Sequence, residues 1–260
     1  MLVHVIADFG LGDLAFAEVC QRIRFQLPDA ECLCTPVPPF ATLAAGFAVA
    51  QLGLNDPPPG TLLFHNVAPR QDDTSARRDN DGERLAYALL PGGVRVVGVN
   101  AGYAFSFLRE AALELRYLGA PSGGSQFRSR DIFPLSLVAV ARGEETEMAD
   151  PLPKRLVPEV PPARIAYVDG FGNLKTTIPF TAGLQPGSSL QVRVGGVERD
   201  AVMSDGGFAV PQGKLAFSPG SSGWADGRGG RLRWMELFWR GGSAWEAFGR
   251  PGIGALIELL

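Results

Sequence analysis

The sequence predicts a two-part protein, in which an N-terminal α/β domain is followed by a smaller C-terminal domain made of β-strands. Three observations support this prediction: strands and helices alternate over residues 1–150, prolines recur over residues 151–162, and short β-like runs between glycine turns fill residues 163–260. Alternating strands and helices are typical of a parallel or mixed sheet with helices packed on it. Short strands at close spacing are typical of a small antiparallel barrel or sandwich.

The elements of the first domain can be predicted in chain order. Residues 2–7 are apolar enough for a buried strand, and residues 14–27 have the spacing of an amphipathic helix. The further predictions are strands at 32–35, 62–67 and 95–99, and helices at 40–54, at 105–115 and from about 126–133 to 142. The polar run at 68–83 is either a functional lid or a disordered surface insertion, because ligands of α/β sheets bind at the carboxyl ends of strands.

The second domain follows a stiff linker. Prolines at 151, 153, 158, 161 and 162 disfavour regular structure and mark a domain boundary over residues 151–162. Beyond it, strands are predicted at 164–169, 173–178, 189–194, 197–202, 213–217, 233–239 and 255–260. The strands are short and their turns are rich in glycine, so residues 163–260 are predicted to form a small antiparallel barrel or sandwich.

Composition restricts the class of protein. An apolar fraction of 46% and a charged fraction of 20% are ordinary for a soluble globular chain of 260 residues. A net charge of -3 argues against a nucleic-acid partner, which favours a basic face. The longest apolar stretch, residues 40–54, is interrupted by Thr42 and Gln51 and is too short to span a bilayer. Because the first residues also lack the pattern of a signal peptide, we expect a cytoplasmic protein with no membrane partner.

The cysteines do not predict a disulfide framework. The chain has three of them, Cys20, Cys32 and Cys34, and only two histidines that could complete a metal site. We therefore expect reduced, buried thiols, and neither a metal nor a cofactor.

Asp8 closes the first predicted strand and is followed by Phe9 and Gly10. A carboxylate at this point could accept hydrogen bonds from two neighbouring sugar hydroxyls, or it could satisfy the free amides at the start of a helix. Asp13 raises the same question, and a simple helix cap is the plainer interpretation for it.

A second motif joins Phe171, Gly172 and Asn173 between two predicted strands. It could be a hairpin turn, in which glycine adopts a positive φ and Asn173 tolerates the left-handed region. Alternatively, the Phe171 ring could stack on a planar or apolar part of a ligand while the Asn173 amide binds a polar part.

Taken together and in this order, several motifs resemble the S-adenosyl-L-methionine hydroxide adenosyltransferases, hydrolases of S-adenosylmethionine that are related to the fluorinases and chlorinases. Asp8-Phe9-Gly10 with Asp13 is similar to the opening Asp-Phe-Gly-x-x-Asp of that family. The further matching segments are Val37-Pro38-Pro39-Phe40, Pro59-Gly60-Thr61, Phe127-Arg128-Ser129-Arg130-Asp131-Ile132-Phe133, Asp169-x-Phe171-Gly172-Asn173-Leu174-x-Thr176 and Gly242-Ser243-Ala244. The resemblance covers nearly the whole chain.

The resemblance implies an α/β domain with a central, mostly parallel sheet flanked by helices, a smaller antiparallel β-barrel domain, and a homotrimer with sites between neighbouring subunits. The substrate would be S-adenosyl-L-methionine, cleaved by water at C5′ to adenosine and methionine. By position, Asp8 would hold the ribose hydroxyls and Phe40 would lie beside the sugar. The remaining implied binding residues are Phe127 and Ser129 near C5′, Asp13, Asn173 and Ser218 at the methionine end, and Phe171 packed on the ligand.

The chain departs from the family at the residues that position and activate water. The Asp position of that machinery holds Ala68, and the His position holds Arg128. An arginine remains as Arg77 or Arg78, and Asp72 or Asp73 could substitute for the missing carboxylate. We predict Arg77, Arg128 and Ser129 as the residues that act on the nucleophile, because an arginine can hold an anion or hydroxide although it cannot act as a base. The alternatives are a binding protein without turnover, or a transferase that uses a halide.

Overall fold

A computed structural model describes residues 1–69, 82–121, 124–144, 148–181, 185–206, 209–226 and 229–260. The chain divides into two compact units, Met1–Glu159 and Val160–Leu260. Each unit has its own seven-stranded sheet.

The sheet of the first unit is mixed. In spatial order its strands are β2 (Glu31–Pro36), β1 (Leu2–Ala7), β3 (Leu62–Asn66), β5 (Arg95–Val99), β4 (Leu85–Leu89), β6 (Glu114–Leu118) and β7 (Met148–Pro151). The β2, β1, β3 and β5 strands pair in parallel, whereas β5, β4, β6 and β7 pair antiparallel. The carboxyl ends of β1, β2, β3 and β5 therefore meet at one edge of this sheet.

Helices cover both faces of the parallel part. These helices are α1 (Leu14–Gln26), α2 (Thr42–Gly53), α3 (Arg128–Asp131) and α4 (Phe133–Arg142). One face of β1, with Val3 and Val5, forms a buried cluster with residues of α1 and α4 such as Ile23 and Leu137. On α2, Gly46 allows a close approach to the following loop, since an added Cβ would lie 2.4 Å from the carbonyl oxygen of Tyr103.

The second unit is a sheet that is nearly closed into a barrel. Its strands in spatial order are β14 (Ile257–Leu259), β10 (Ser189–Val194), β11 (Val197–Met203), β12 (Leu215–Ala225), β13 (Arg231–Trp239), β9 (Leu174–Pro179) and β8 (Ile165–Val168), and a short helix, α5, spans Ala244–Ala247. The two edge strands meet through a single antiparallel bridge between Arg164 and Leu256. The β11 strand pairs in parallel with β12, so this sheet is mixed as well.

The predicted fold class is wrong in two respects. The first sheet is mixed and not mostly parallel, and the second unit is not a smaller antiparallel barrel, because its sheet also has seven strands and contains a parallel pair. The first sheet is mixed because Pro91, Gly92 and Gly93, in the turn over residues 90–94, reverse the direction of the chain within a few residues. A parallel connection requires about a dozen residues, so β5 must run antiparallel to β4.

One predicted helix is also wrong. Residues 105–115 contain only a single 3-10 turn, Ser106–Leu108, and then the start of β6. The apolar residues of this segment suggested a helix, but they pack onto α2, with the rings of Phe47 and Phe107 at 5.6 Å edge to face. The prediction also omitted the strands β4, β6 and β7.

In the part of the chain that is described, no helix is long and apolar enough to cross a membrane.

Candidate functional site

Polar side chains lie at the edge of the first sheet where the parallel strands end. Asp8 follows β1, whose last residue Ala7 is paired with Asn66 of β3. His65 of β3 is paired with Gly98, so Asn100 lies just beyond the end of the neighbouring strand β5. This edge is where open α/β sheets bind ligands.

Asp8 and Phe40 are in direct contact at this edge. The half-buried Asp8 carboxylate accepts a hydrogen bond through Oδ2 from the backbone amide of Phe40, at 3.0 Å. Phe40 has a φ of 62°, an uncommon conformation for a phenylalanine, and its side chain is 48% exposed. A charged acceptor and an exposed ring are thus held side by side.

Asp13 lies a few residues further along and caps α1. Its Oδ1 accepts a hydrogen bond from the amide of Ala15 at 2.8 Å. In the structure Asp13 is therefore a helix cap, which is the plainer of the two interpretations.

Phe127 joins the same region through Phe9. The two rings meet edge to face at 5.8 Å, and Phe9 makes a second such contact with Phe16 of α1 at 5.2 Å. Ser129, on the first turn of α3, is buried. The structure therefore brings Phe127 and Ser129 to the end of the sheet that carries Asp8.

The α3 segment is held by charge-assisted hydrogen bonds. The Asp131 carboxylate accepts from the guanidinium of Arg130, at 2.7 Å, and from the hydroxyl of Ser125. Arg130 and then Ser125 hold the pKa of the Asp131 carboxyl well below its usual range. This carboxylate is therefore ionised and fixes the turn that carries Phe127 and Ser129.

The Arg128 side chain contacts backbone carbonyls. Its Nη2 donates to the carbonyl oxygen of Pro121 at 2.8 Å, its Nη1 donates weakly to that of Glu83 at 3.4 Å, and the guanidinium lies 4.8 Å from the Phe133 ring centre. The sequence pattern does not single out Glu83 as a site residue, because Glu83 lies at the end of a charged run. Its Oε1 is buried and has no hydrogen-bond partner in the described residues.

Ala68 and Arg77 are the further predicted water-activating positions, and only Ala68 lies within the described residues. Ala68 follows β3 and is partly packed against the apolar core, so it contributes no polar group. Arg77, with Arg78, Asp72 and Asp73, lies outside the described residues.

In the second unit, Asp169 organises the turn between β8 and β9. Its Oδ1 accepts from the amides of Phe171 and Asn173, both at 3.0 Å, and its Oδ2 accepts from the Asn173 side-chain amide at 2.9 Å. Gly172 has a φ of 80°, and an added Cβ would lie 2.0 Å from Ser243 Oγ. The segment is therefore a hairpin turn with a positive φ at Gly172, as the hairpin interpretation has it, but Asn173 is not among the residues with a positive φ. Asp169 accepts the hydrogen bonds that hold the turn.

The same turn also presents two groups that could contact a ligand. The Phe171 ring is 82% exposed, which is unusual for a large apolar side chain. Asn173 is only 8% exposed, and its Oδ1 has no hydrogen-bond partner among the described residues. A buried carbonyl oxygen without a donor is unfavourable, and a ligand N–H or O–H group could satisfy it.

A buried row of polar residues crosses three strands next to this turn. Ser218 of β12, Glu236 of β13 and Lys175 of β9 are opposite one another in the strand register. The Lys175 ammonium donates to Glu236 Oε2 at 2.5 Å and to Ser221 Oγ at 3.2 Å, and it lies 3.5 Å from Asp169. The predicted residue Ser218 is thus the register neighbour of a charged network of Lys175, Glu236 and Asp169 that the sequence pattern does not reveal.

A cleft of about 520 Å³ lies elsewhere in the first unit, lined in part by Tyr87, Arg95, Glu114 and Arg116. Its arginines are already engaged, since Arg95 donates to the carbonyl of Val140 at 2.6 Å and Arg116 pairs with Glu114 at 2.5 Å. We therefore assign no function to this cleft. In the described residues no group of histidine, cysteine or carboxylate side chains could hold a metal ion.

Two solved structures are similar to this chain over its whole length. One is an uncharacterized conserved protein from Thermotoga maritima, with 21% identity, a TM-score of 0.73, and coverage of 99% of this chain and 100% of that one. The other is a conserved hypothetical protein from Thermus thermophilus, with 24% identity, a TM-score of 0.68, and coverage of 99% of both chains. At these identities the similarity shows a shared fold and carries no activity. No protein-family model matches the chain, and no curated protein matches it.

Proposed function

We propose that the protein binds S-adenosyl-L-methionine and cleaves it at C5′, with water as the nucleophile, to adenosine and methionine. The observation that carries this proposal is the pair of Asp8 and Phe40 at the carboxyl end of β1. A fixed, ionised acceptor suits the two hydroxyls of a ribose, and an exposed ring next to it suits the face of a sugar. The motif resemblance of the sequence assigns the same roles to these residues.

The second unit supplies the groups proposed for the methionine end. Asn173 offers a buried carbonyl oxygen that needs a donor, and Phe171 offers an exposed apolar ring. An amino-acid ammonium is a donor of the required kind. As the resemblance implies, the proposal includes a homotrimer with binding sites between subunits.

The chemistry requires little from the protein. The sulfonium already carries the charge that makes methionine a neutral leaving group, so no general acid is required. The nucleophile must be aligned opposite the sulfur and stripped of solvent, which is a matter of position and of an enclosed site. Atoms balance simply: the water oxygen bonds to C5′, the C5′–S bond breaks, and one proton is released.

Among the described residues, water activation is the step with the fewest candidate groups, since Arg77, Asp72 and Asp73 lie outside them. Arg128 could stabilise a hydroxide. It donates a hydrogen bond to the backbone carbonyl of Glu83, and one carboxylate oxygen of Glu83 is buried. A water additionally needs a base or close electrostatic support, and Ala68 provides neither. We therefore expect turnover to be slow.

The test is to incubate the purified protein with S-adenosyl-L-methionine and to separate the products by chromatography. We expect adenosine and methionine in equal amounts, formed at a rate proportional to protein concentration. Asp8→Asn should abolish product, whereas Asp29→Asn, a control at the far end of the first sheet, should not. Absence of adenosine at all protein concentrations would exclude the hydrolase, and a 5′-halogenated nucleoside in the presence of halide would identify the transferase instead.

A second candidate is a binding protein that does not turn over. It is favoured by Ala68 and by the Arg128 guanidinium, which donates hydrogen bonds to two backbone carbonyls. This protein would be stabilised by S-adenosyl-L-methionine or by adenosine without forming product. A ligand at 100 times its Kd should raise the free energy of unfolding by about 2.7 kcal/mol.

A further inference from the structure

The three cysteines of the chain gather at one place in the first unit. Cys20 belongs to α1, and Cys32 and Cys34 belong to β2, the edge strand of the sheet. The sulfur atoms of Cys20 and Cys34 are 3.5 Å apart, and Cys32 lies on the same strand as Cys34. The expectation of buried thiols is wrong for Cys34, which is exposed, and Cys20 and Cys32 are only half-buried.

Strand register explains why the thiols meet. Val3 of β1 is opposite Cys32, and Val5 is opposite Cys34. Both valines belong to the buried cluster that packs against α1, so the two cysteines lie on the face of β2 that α1 covers. Cys20 projects from α1 onto the same face.

The site is open to small molecules. Cys34 is exposed, and Cys20 and Cys32 are half-buried at the edge of the sheet. The three sulfurs are not equivalent. Cys20, and more weakly the charge of Arg24, lower the pKa of Cys32 against the opposing effects of desolvation and of Cys34. Partial desolvation of the sulfur, and then Cys20, raise the pKa of Cys34 to about 12, although the residue as a whole is exposed. Cys32 is therefore the thiol with the most thiolate character.

We infer that Cys20, Cys32 and Cys34 form a redox site, in which a hydroperoxide closes a disulfide between Cys20 on α1 and a thiol on β2. The Cys32 sulfur attacks the peroxide oxygen, the O–O bond breaks, and a sulfenic acid and an alcohol or water are formed. The Cys20 sulfur then attacks the sulfenic sulfur, and water leaves with the Cys20 proton. Two thiols are oxidised and one peroxide is reduced, so no other reactant is required.

Cys34 allows the site a second disulfide-bonded form. Its sulfur is next to Cys20, so it can attack Cys20 in the first disulfide, release Cys32 as a thiol and leave a bond between Cys20 and Cys34. None of the three cysteines is among the residues proposed to bind S-adenosyl-L-methionine. The failure of one of the two proposals, the redox site or the cleavage of S-adenosyl-L-methionine, would therefore leave the other unaffected.

The experiment is peroxide titration of the reduced, full-length protein, followed by alkylation, intact mass measurement and peptide mapping. One equivalent of hydrogen peroxide should lower the mass by two hydrogen atoms and leave one of the three cysteines free to react. The disulfide peptide should join Cys20 to Cys32 or Cys34. No loss of mass, a disulfide between two protein chains, or sulfinic acid without a disulfide would overturn the proposal.

Serine variants separate the roles of the three thiols. Cys20→Ser should lose the intramolecular disulfide, whereas Cys34→Ser should keep it. Cys32→Ser should react about tenfold more slowly than Cys34→Ser, since the most reactive thiolate is missing. A disulfide that forms in Cys20→Ser at the wild-type rate would overturn the assignment of Cys20, and a faster Cys32→Ser would overturn that of Cys32.

A denatured control tests whether the fold creates the site. In urea, disulfide closure should slow by about tenfold or more, because the helix no longer holds Cys20 against β2. Equal rates in the folded and the unfolded protein would mean that chain proximity alone explains the reaction, which would contradict the inference.

Discussion

His65 is a histidine that the structure buries completely. Its ring contacts Phe105 edge to face at 5.0 Å and lies over Gly98, where an added Cβ would come within 2.1 Å of the ring. Neither ring nitrogen has a hydrogen-bond partner in the described residues. Burial lowers the pKa of His65 from 6.5 to about 3, so the ring stays neutral in the folded protein.

This burial predicts a dependence of stability on pH. Between about pH 6.5 and about pH 3 the unfolded chain binds a proton at His65 that the folded chain does not, so stability falls as the pH is lowered through that window. The slope from this residue is at most about 1.4 kcal/mol per pH unit. In urea unfolding, the wild type should therefore lose stability relative to His65→Leu as the pH is lowered from about 6.5 to about 3, since the variant lacks this term. If the free energies of unfolding of the two proteins changed equally with pH, the folded protein would be able to protonate His65 as readily as the unfolded chain does.

Asp8 is the residue on which the ligand proposal depends. Asp8→Ala should abolish the thermal stabilisation by S-adenosyl-L-methionine, while Asp29→Ala should leave it unchanged. The measured quantity is the ligand-induced shift in Tm and not Tm itself, because Asp8 also accepts the Phe40 amide and its loss alters the free protein. An unchanged shift in Asp8→Ala would mean that the ribose is not held here.

Arg128 tests what limits turnover. If the absence of a base is limiting, Arg128→His should raise the rate of adenosine formation by about tenfold or more, a modest part of what general bases contribute. Arg128→Gln removes the guanidinium without adding a base and serves as the control. An equal rate in both variants would indicate that Ala68, and not position 128, is the limiting departure from the family.

At the scale of the element, the strands β9 and β13 are joined by a buried ion pair. The side chains of Lys175 and Glu236 are 9% and 12% exposed, and their charged atoms are 2.5 Å apart. Loss of the Glu236 charge leaves Lys175 with Asp169, at 3.5 Å, as its remaining opposite charge, and this is more costly than the same loss at the surface.

Two matched substitutions measure this difference in urea unfolding. Glu236→Gln should lower the free energy of unfolding by about 2 kcal/mol. Glu246→Gln, which removes an exposed pair with Arg250 in the same unit, should change it by less than about 0.5 kcal/mol. The double variant Lys175→Met/Glu236→Leu should recover most of the loss. Equal effects of the two glutamine variants would show that the pair is screened by solvent.

Elements with a local cause were predicted well. The helices α1 and α4 and the strands β1, β3 and β5 follow from apolar spacing, and Asp13 caps α1 as its position before the helix suggests. The segment over 105–115 was predicted wrongly because its apolar residues are used in packing against α2 and not in a helical stripe. The sequence pattern does not predict strand β4, because this strand follows a charged run whose composition is typical of a loop.

At the scale of the whole molecule, the assembly is the main prediction. Light scattering coupled to size-exclusion chromatography should give a mass three times that of the 27.7 kDa chain. The measurement should be repeated after dilution, because subunits held by weak contacts separate with concentration. A stable monomer would remove the basis for binding sites between subunits, although surfaces within each unit would still be available to a ligand.

The sequence alone determined where most strands begin, where glycine turns lie, and which residues carry the motif resemblance, because these depend on a few neighbouring residues. Strand direction and register depend on which segments pair over long distances, and only the tertiary structure decided them. It alone placed Asp8 against the Phe40 amide, Lys175 against Glu236, and Cys20 against the thiols of β2. Each of these contacts joins residues that are far apart or on different elements, so no local pattern could specify them.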